Sequence, residues 1–343
     1  MRAVLKYILL STLIIISCIE DADLPADKAL RLLTVDGRIT TGPGPHVIRL
    51  TRSARYGSNF VDVVGVERFA NVSIRDDLGN VTVLSEPSFG VYETPPGFRG
   101  VVGRSYSVQI ITQDGKEYMS FPEKILPVAK IDSFSIAFRT VSTANPLIPK
   151  SGIEVYAHFN DVPGEKNFYQ WRNSGLLQLN TRPDLFVQRP RFPAPKPCCD
   201  TCWKEEVPDK AIRIFSDRLV DGNSVRTLAA FIEDDGYRMR DKYMVRIFQQ
   251  SLTENAYQFY RLVEQQATIE GSIFDPPPST IGGNVIRVDA PEEFVIGYFT
   301  ASDVSIDSLF LNRSDLQFMQ PARIIPDDCR TIEGTTVIRP PFW

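Results

Sequence analysis

Thr41-Gly42-Pro43-Gly44-Pro45 is a turn that no helix could contain, and breakers of this kind recur along most of the chain. Proline fixes φ and has no amide hydrogen, while glycine carries conformational freedom that a helix interior would have to give up. With 25 Pro and 21 Gly spread among short runs of Val, Ile, Phe and Tyr, the 343 residues are confined largely to strands and loops. Val72-Ser73-Ile74-Arg75-Asp76-Asp77 meets Val81-Thr82-Val83-Leu84 through Leu78-Gly79-Asn80, a hairpin turn of residues that tolerate positive φ. Tyr106 to Ile110 alternates strictly and turns at Asp114-Gly115 into Glu117-Tyr118-Met119. Short strands at roughly ten-residue spacing predict an immunoglobulin-like or transthyretin-like sandwich over residues 30–128.

A boundary near Leu126-Pro127-Val128 opens a second β domain, 129–320, so the expected fold is mainly β: two β-sandwich domains with one inserted helix and a disulfide-stapled loop. Phe134, Ile136 and Phe138 alternate, as do the residues from Ile153 to Phe159. Phe168-Tyr169-Gln170-Trp171-Arg172 reads as the aromatic strand that fills this core, with Trp171 buried and not part of a stacking platform. Residues 180–210 are rich in proline and poor in pattern, which predicts a long excursion without a packed strand pair. Ser251-Leu252-Thr253-Glu254 has the form of a capping box for a helix over 251–266, with Leu252, Ala256, Phe259 and Val263 on one face. Phe294 to Phe299 is apolar on both faces and is expected to be a central strand, the last strong one. In the tail, 321–343, Pro340-Pro341 before Phe342-Trp343 excludes a terminal strand of the membrane-barrel kind.

The first 17 residues have a different character. Arg2 and Lys6 precede an apolar run from Tyr7 to Ile16 that is short of the roughly 18 residues needed to cross a bilayer, so it reads as a secretory signal. It closes on Ile15-Ile16-Ser17-Cys18, the pattern of a bacterial lipobox, which predicts lipidation of Cys18 and a mature chain starting there. Acyl chains at about 0.8 kcal/mol per buried methylene hold such a protein on a membrane. Glu20, Asp21, Asp23 and Asp27 then form an acidic tether over 18–29. Directly after a lipidated Cys, the run resembles the export signal that sends Bacteroidota lipoproteins to the outer face of the outer membrane. The expected address is therefore the outer membrane, lipid-anchored and facing the exterior.

Net charge is −4 with dispersed basic residues, so nothing suggests a nucleic-acid partner. Only two histidines are present, His46 and His158, and each reads as a strand-edge or surface residue. This scarcity argues against imidazole-based metal or nucleophile chemistry. Asp76 to Asn80 lacks the ligand alternation and distant Glu of a calcium loop. Asp234 with Asp235, and Glu292 with Glu293, are sequence neighbours that point apart in extended chain, unlike carboxylates flanking one bond. No enzyme activity, metal or cofactor is expected.

Beyond Cys18, four cysteines remain: Cys198, Cys199, Cys202 and Cys329. An even number in an exported chain implies disulfides, which outweighs a four-thiolate zinc site or a redox-active Cys-x-x-Cys. A bond between the adjacent Cys198 and Cys199 would be strained, so two connectivities are expected. These are Cys198–Cys202 with Cys199–Cys329, or Cys199–Cys202 with Cys198–Cys329. Either would staple the excursion to the tail, a closure worth about 4–5 kcal/mol in the entropic model.

The lipobox with its acidic sequel, Leu33-Thr34-Val35-Asp36-Gly37-Arg38-Ile39, Pro96-Gly97-Phe98-Arg99-Gly100 with Gly103-Arg104-Ser105-Tyr106, Cys199-Asp200-Thr201-Cys202-Trp203, and Asp328-Cys329-Arg330 with Pro341-Phe342-Trp343 follow one another in an order that resembles one family. It is the Bacteroidota surface lipoprotein family known as domain of unknown function 4249. The resemblance implies a non-enzymatic accessory or ligand-binding partner of a Sus-type, TonB-dependent receptor in nutrient uptake. The alternative is a structural or assembly subunit of a larger outer-membrane machine, with a hydrolase further behind.

Overall fold

The computed structural model describes residues 31–53, 65–142, 149–188, 192–267, 281–317 and 320–343. The fold is mainly β with a single helix, and its two hydrophobic cores each lie between a pair of sheets.

In the first unit, one sheet has the order β20 (Ile296–Ser302), β1 (Leu33–Thr40), β2 (Val47–Arg52), β6 (Val91–Glu93), β5 (Ser85–Ser88). The facing sheet runs β19 (Val285–Arg287), β8 (Glu117–Ser120), β7 (Ser105–Ile111), β3 (Asn71–Asp76), β4 (Val81–Val83), with β9 (Glu123–Lys124) also on β7. Period-two alternation sends Leu33, Val35 and Ile39 of β1, Ile48 and Leu50 of β2, and Val108 and Ile110 of β7 inward, all fully buried. The 76–80 turn is a hairpin, as expected: Asp76 Oδ1 accepts from the amides of Leu78 and Asn80. Tyr92 is pinned in the core, its hydroxyl accepting from Ala70 N and donating to Glu67 O.

The second unit pairs a three-stranded sheet, β10 (Ser133–Val141), β11 (Lys150–Asn160), β17 (Ser224–Glu233), with a six-stranded one. The latter runs β21 (Val304–Asn312), β18 (Lys242–Leu252), β12 (Phe168–Asn180), β15 (Thr201–Glu206), β22 (Thr335–Thr336), with β16 (Arg213–Ser216) also on β12. A two-stranded ribbon, β13 (Val187–Gln188) and β14 (Phe192–Pro193), stands apart. Trp171 is the centre of this core, its ring against Phe159, Tyr169 and Phe215 and its Nε1 donating to Gln249 Oε1 at 2.9 Å.

Four expectations need correction. The division at 128 is not a clean cut, because the chain returns to the first unit: β20 pairs in parallel with β1, and β19 pairs with β8. Gly297 makes the parallel pairing close, since a Cβ there would sit 2.0 Å from Val35 O and its φ is +93°. The strand around 294–299 is thus at a sheet edge and is followed by β21. It is apolar on both faces because the second unit covers its outer side, where Tyr298 meets Phe259 and Tyr260. The 180–210 stretch contains β15, a six-residue strand hydrogen-bonded to β12 and hidden in sequence by Lys204, Glu205 and Glu206. Finally, the capping box is not formed. Ser251 belongs to β18, its Oγ donating to Leu126 O, and the helix α1 (Glu254–Ala267) is capped by Thr253, whose Oγ1 accepts from Ala256 N at 3.2 Å.

Helix α1 sits where the units meet, with Ala256, Tyr257, Phe259 and Tyr260 around Phe168, Leu252 and Tyr298. Beside it Glu123, only 4% exposed, accepts from Tyr298 Oη at 2.6 Å, Thr253 Oγ1 at 2.7 Å and Asn284 Nδ2 at 3.3 Å. Burial pushes its pKa above the ordinary value despite these donors. The carboxyl therefore holds its proton more tightly in the folded than in the unfolded chain. The stability it contributes is complete below the unfolded pKa and is lost as pH rises through the folded one. Glu123→Gln, neutral at all pH, should gain stability relative to the native protein between pH 4.5 and pH 8. Urea midpoints at the two pH values measure this, and a gap that stays constant or shrinks would refute it.

Candidate functional site

Cys18, Glu20, Asp21 and Asp23 lie outside the described residues. His46 is buried at the start of β2, its ring edge-on to Phe98, and burial lowers its pKa, with Arg38 and Arg99 adding to the effect. His158 is half-buried, its Nε2 2.7 Å from Ser135 Oγ. The paired acids have local work: Asp234 accepts from the amides of Gly236 and Gln320, Asp235 from those of Tyr237 and Arg238, and Glu293 pairs with Arg287.

The cysteine pairing differs from both expected connectivities. Cys202 is bonded to Cys329, and Cys198 to its neighbour Cys199. Strand geometry accounts for the long-range bond. Strand β15 alternates, so Cys202 projects into the interior, fully buried, with a Cα–Cα distance of 5.8 Å to Cys329. Cys198 and Cys199 are joined by a cis peptide, with their Cα atoms 3.1 Å apart. The long-range staple of strand to tail is thus present with a different partner for Cys329, and no thiolate of the four is left for zinc. Cys329 N donates to Cys199 O, and Asp328 accepts from the amide and guanidinium of Arg330, which holds its carboxyl well below the usual range.

The Cys198–Cys199 pair lines a groove of about 560 Å³ with Arg182, Pro183, Asp184, Lys196, Pro197 and Val337. Its charges are self-paired: Arg182 with Asp184, and Lys196 with Asp327 and over the Phe186 ring. Thr181, Asp200 and Thr201 complete its lining beside the disulfide, the prolines and Val337. Another recess, about 640 Å³, likewise pairs Arg52 with Glu67 at 2.6 Å and Lys116 with Asp114 at 2.8 Å.

At the junction between the units Glu123 is fully paired, but other polar groups are left without partners. On the outer face of β12 and β18, Gln170 and Gln250 stand opposite each other, each 4% exposed, and the Oε1 of each has no hydrogen-bond partner among the described residues. The same holds for Ser302 Oγ on β20 and for Arg38 Nε on β1. Two residues along β12 from Gln170 is Arg172, an exposed side chain with partial desolvation of its guanidinium. Its pKa is lowered to about 10, first by that desolvation and then by Arg38, with Arg49 acting in the same sense. Tyr260 and Asp36 oppose the shift. Arg38, Asp36 and Arg49 of the first unit and Tyr260 of the helix thus act electrostatically on Arg172 of the second, a grouping that sequence reasoning missed because no two of them form a motif.

No helix among the described residues is long and apolar enough to cross a membrane. No curated protein matches the chain. A family model described as domain of unknown function (DUF4249) matches residues 19–307, from just after Cys18 into β21, and the chain belongs to that family.

Proposed function

We propose that this protein is a lipid-anchored outer-membrane lipoprotein, facing the cell exterior, that serves without chemistry of its own as the accessory or ligand-binding partner of a Sus-type, TonB-dependent transporter in nutrient uptake. The observation that carries this reading is one of register. The lipobox-like Ser17-Cys18 ends immediately before Ile19, where the family match begins. The acidic residues then fall within the stretch between Cys18 and Leu33, the start of β1. About fifteen residues give that stretch a reach of at most roughly 50 Å, enough to hold the β units clear of a lipid surface. The disulfide between Cys202 and Cys329 suits an oxidising compartment.

The anchor is testable apart from the partner. Cells fed an alkynyl fatty acid should label the native chain, and Cys18→Ala should lose the label and leave the detergent phase. A native chain that carries no label would remove the basis of the proposal.

A further inference from the structure

The two disulfides stand in opposite surroundings. Cys202 and Cys329 are both fully buried, and their bond joins positions 127 apart in sequence. An external thiol reaches such a bond only when the structure around it opens. Cys198 is exposed and Cys199 half-buried, and both line the open groove of about 560 Å³ bordered by Pro183 and Lys196. Their bond joins sequence neighbours, so it closes no loop and adds none of the constraint on the unfolded chain that protects a long-range bond. Exposed disulfides are the labile ones, and buried long-range disulfides the structural ones.

Accessibility also sets the direction of attack. Cys198 is the more exposed of the two, so an incoming thiolate bonds to its Sγ, and the electron pair of the broken S–S bond leaves on Cys199 Sγ. A second thiolate then attacks the sulfur of the bound thiol, frees Cys198 and departs as a small-molecule disulfide. The protons given up by the two small thiols end on Cys198 and Cys199. Two small thiols are oxidised to one disulfide while the protein disulfide is reduced to two thiols.

This bond is also tied to the tail. Cys199 O accepts from Cys329 N at 3.0 Å and from Thr181 Oγ1 at 3.2 Å, and the Cys199 amide donates to the Asp328 carboxylate. The ring that the disulfide closes over Cys198 and Cys199 restrains both of these backbone groups. Opening the ring removes that restraint from the residues that hold the tail.

We propose that Cys198–Cys199 is a site of reversible thiol–disulfide exchange for small thiols entering the groove, and that its opening loosens the tail around Cys329 while Cys202–Cys329 stays closed. The site is independent of the membrane anchor and of any transporter.

The test treats the native full chain, folded, with dithiothreitol, blocks free thiols with iodoacetamide and maps the labelled peptides by mass spectrometry. Cys198 and Cys199 should be labelled roughly tenfold faster than Cys202 and Cys329, and oxidised glutathione should close the pair again. Hydrogen exchange of the peptide spanning Cys329 should become about threefold faster once Cys198 and Cys199 are reduced. The double variant Cys198→Ser with Cys199→Ser should show that faster exchange without any reductant and gain nothing from adding it. Equal labelling of the two pairs, no labelling of Cys198 and Cys199 in the folded protein, or hydrogen exchange around Cys329 unchanged by reduction would overturn the proposal.

Discussion

Replacing Cys202 and Cys329 together with alanine is expected to lower the free energy of unfolding by about 4–5 kcal/mol. The bond joins residues 127 apart in sequence, so in the reduced chain the unfolded ensemble regains the freedom of a very long loop. Both sulfurs are fully buried, and removing them also opens space between β15 and the 3₁₀ turn Cys329–Thr331. For a chain of this size the loss corresponds to roughly 10 °C or more in Tm. Replacing Cys198 and Cys199 removes a bond between residues 1 apart, which closes no loop, and should shift Tm far less. Thermal melts of the two double variants give the comparison. Equal shifts would mean that the closure of tail onto strand is not what the Cys202–Cys329 bond contributes.

Trp171→Ala should cost about 5 kcal/mol, the upper end for emptying an aromatic site. The indole is 2% exposed, and its removal leaves a cavity bounded by Phe159, Tyr169 and Phe215. It also orphans Gln249 Oε1 in a residue with no solvent access, although Gln249 Nε2 keeps its bond to Ala129 O at 2.8 Å. A buried acceptor without a donor adds about 1–3 kcal/mol. Trp171→Phe separates the two contributions: it retains most of the volume and loses the donor, and should cost about 2–3 kcal/mol. Denaturant unfolding of both variants decides, and a Phe variant as damaged as the Ala variant would show that the hydrogen bond, not the packing, dominates.

Where sequence and fold agree, the governing interactions are local. The hairpin from β3 to β4 is set by Asp76 and by Gly79 at φ +84°, and that from β7 to β8 by Gly115 at φ +81°, both legible as turn chemistry. The aromatic strand around Trp171 is legible from composition alone. What escaped is non-local. The parallel pairing of β1 with β20 joins Thr34 to Ile296, and no pattern within either strand declares the other. Strand β15 is concealed by its charges, which the sheet tolerates because β22 covers it only at Trp203 and Lys204, and the cysteine pairing is hidden with it, since alternation in β15 is what aims Cys202 inward. The capping error was one of position: Ser251 and Thr253 are both competent caps, and the end of β18 at Leu252 decides between them. Arg38, Arg49 and Arg172 come from three strands in two units, each an ordinary outward-facing residue of its own strand.

The measurement that bears most directly on the proposed function is an affinity pull-down of the tagged full chain from detergent-solubilised outer membranes, with mass spectrometry of what accompanies it. The transporter-accessory account predicts a TonB-dependent receptor at a stoichiometry near one. Recovery of assembly or secretion subunits in its place, or of the lipoprotein alone, would contradict it.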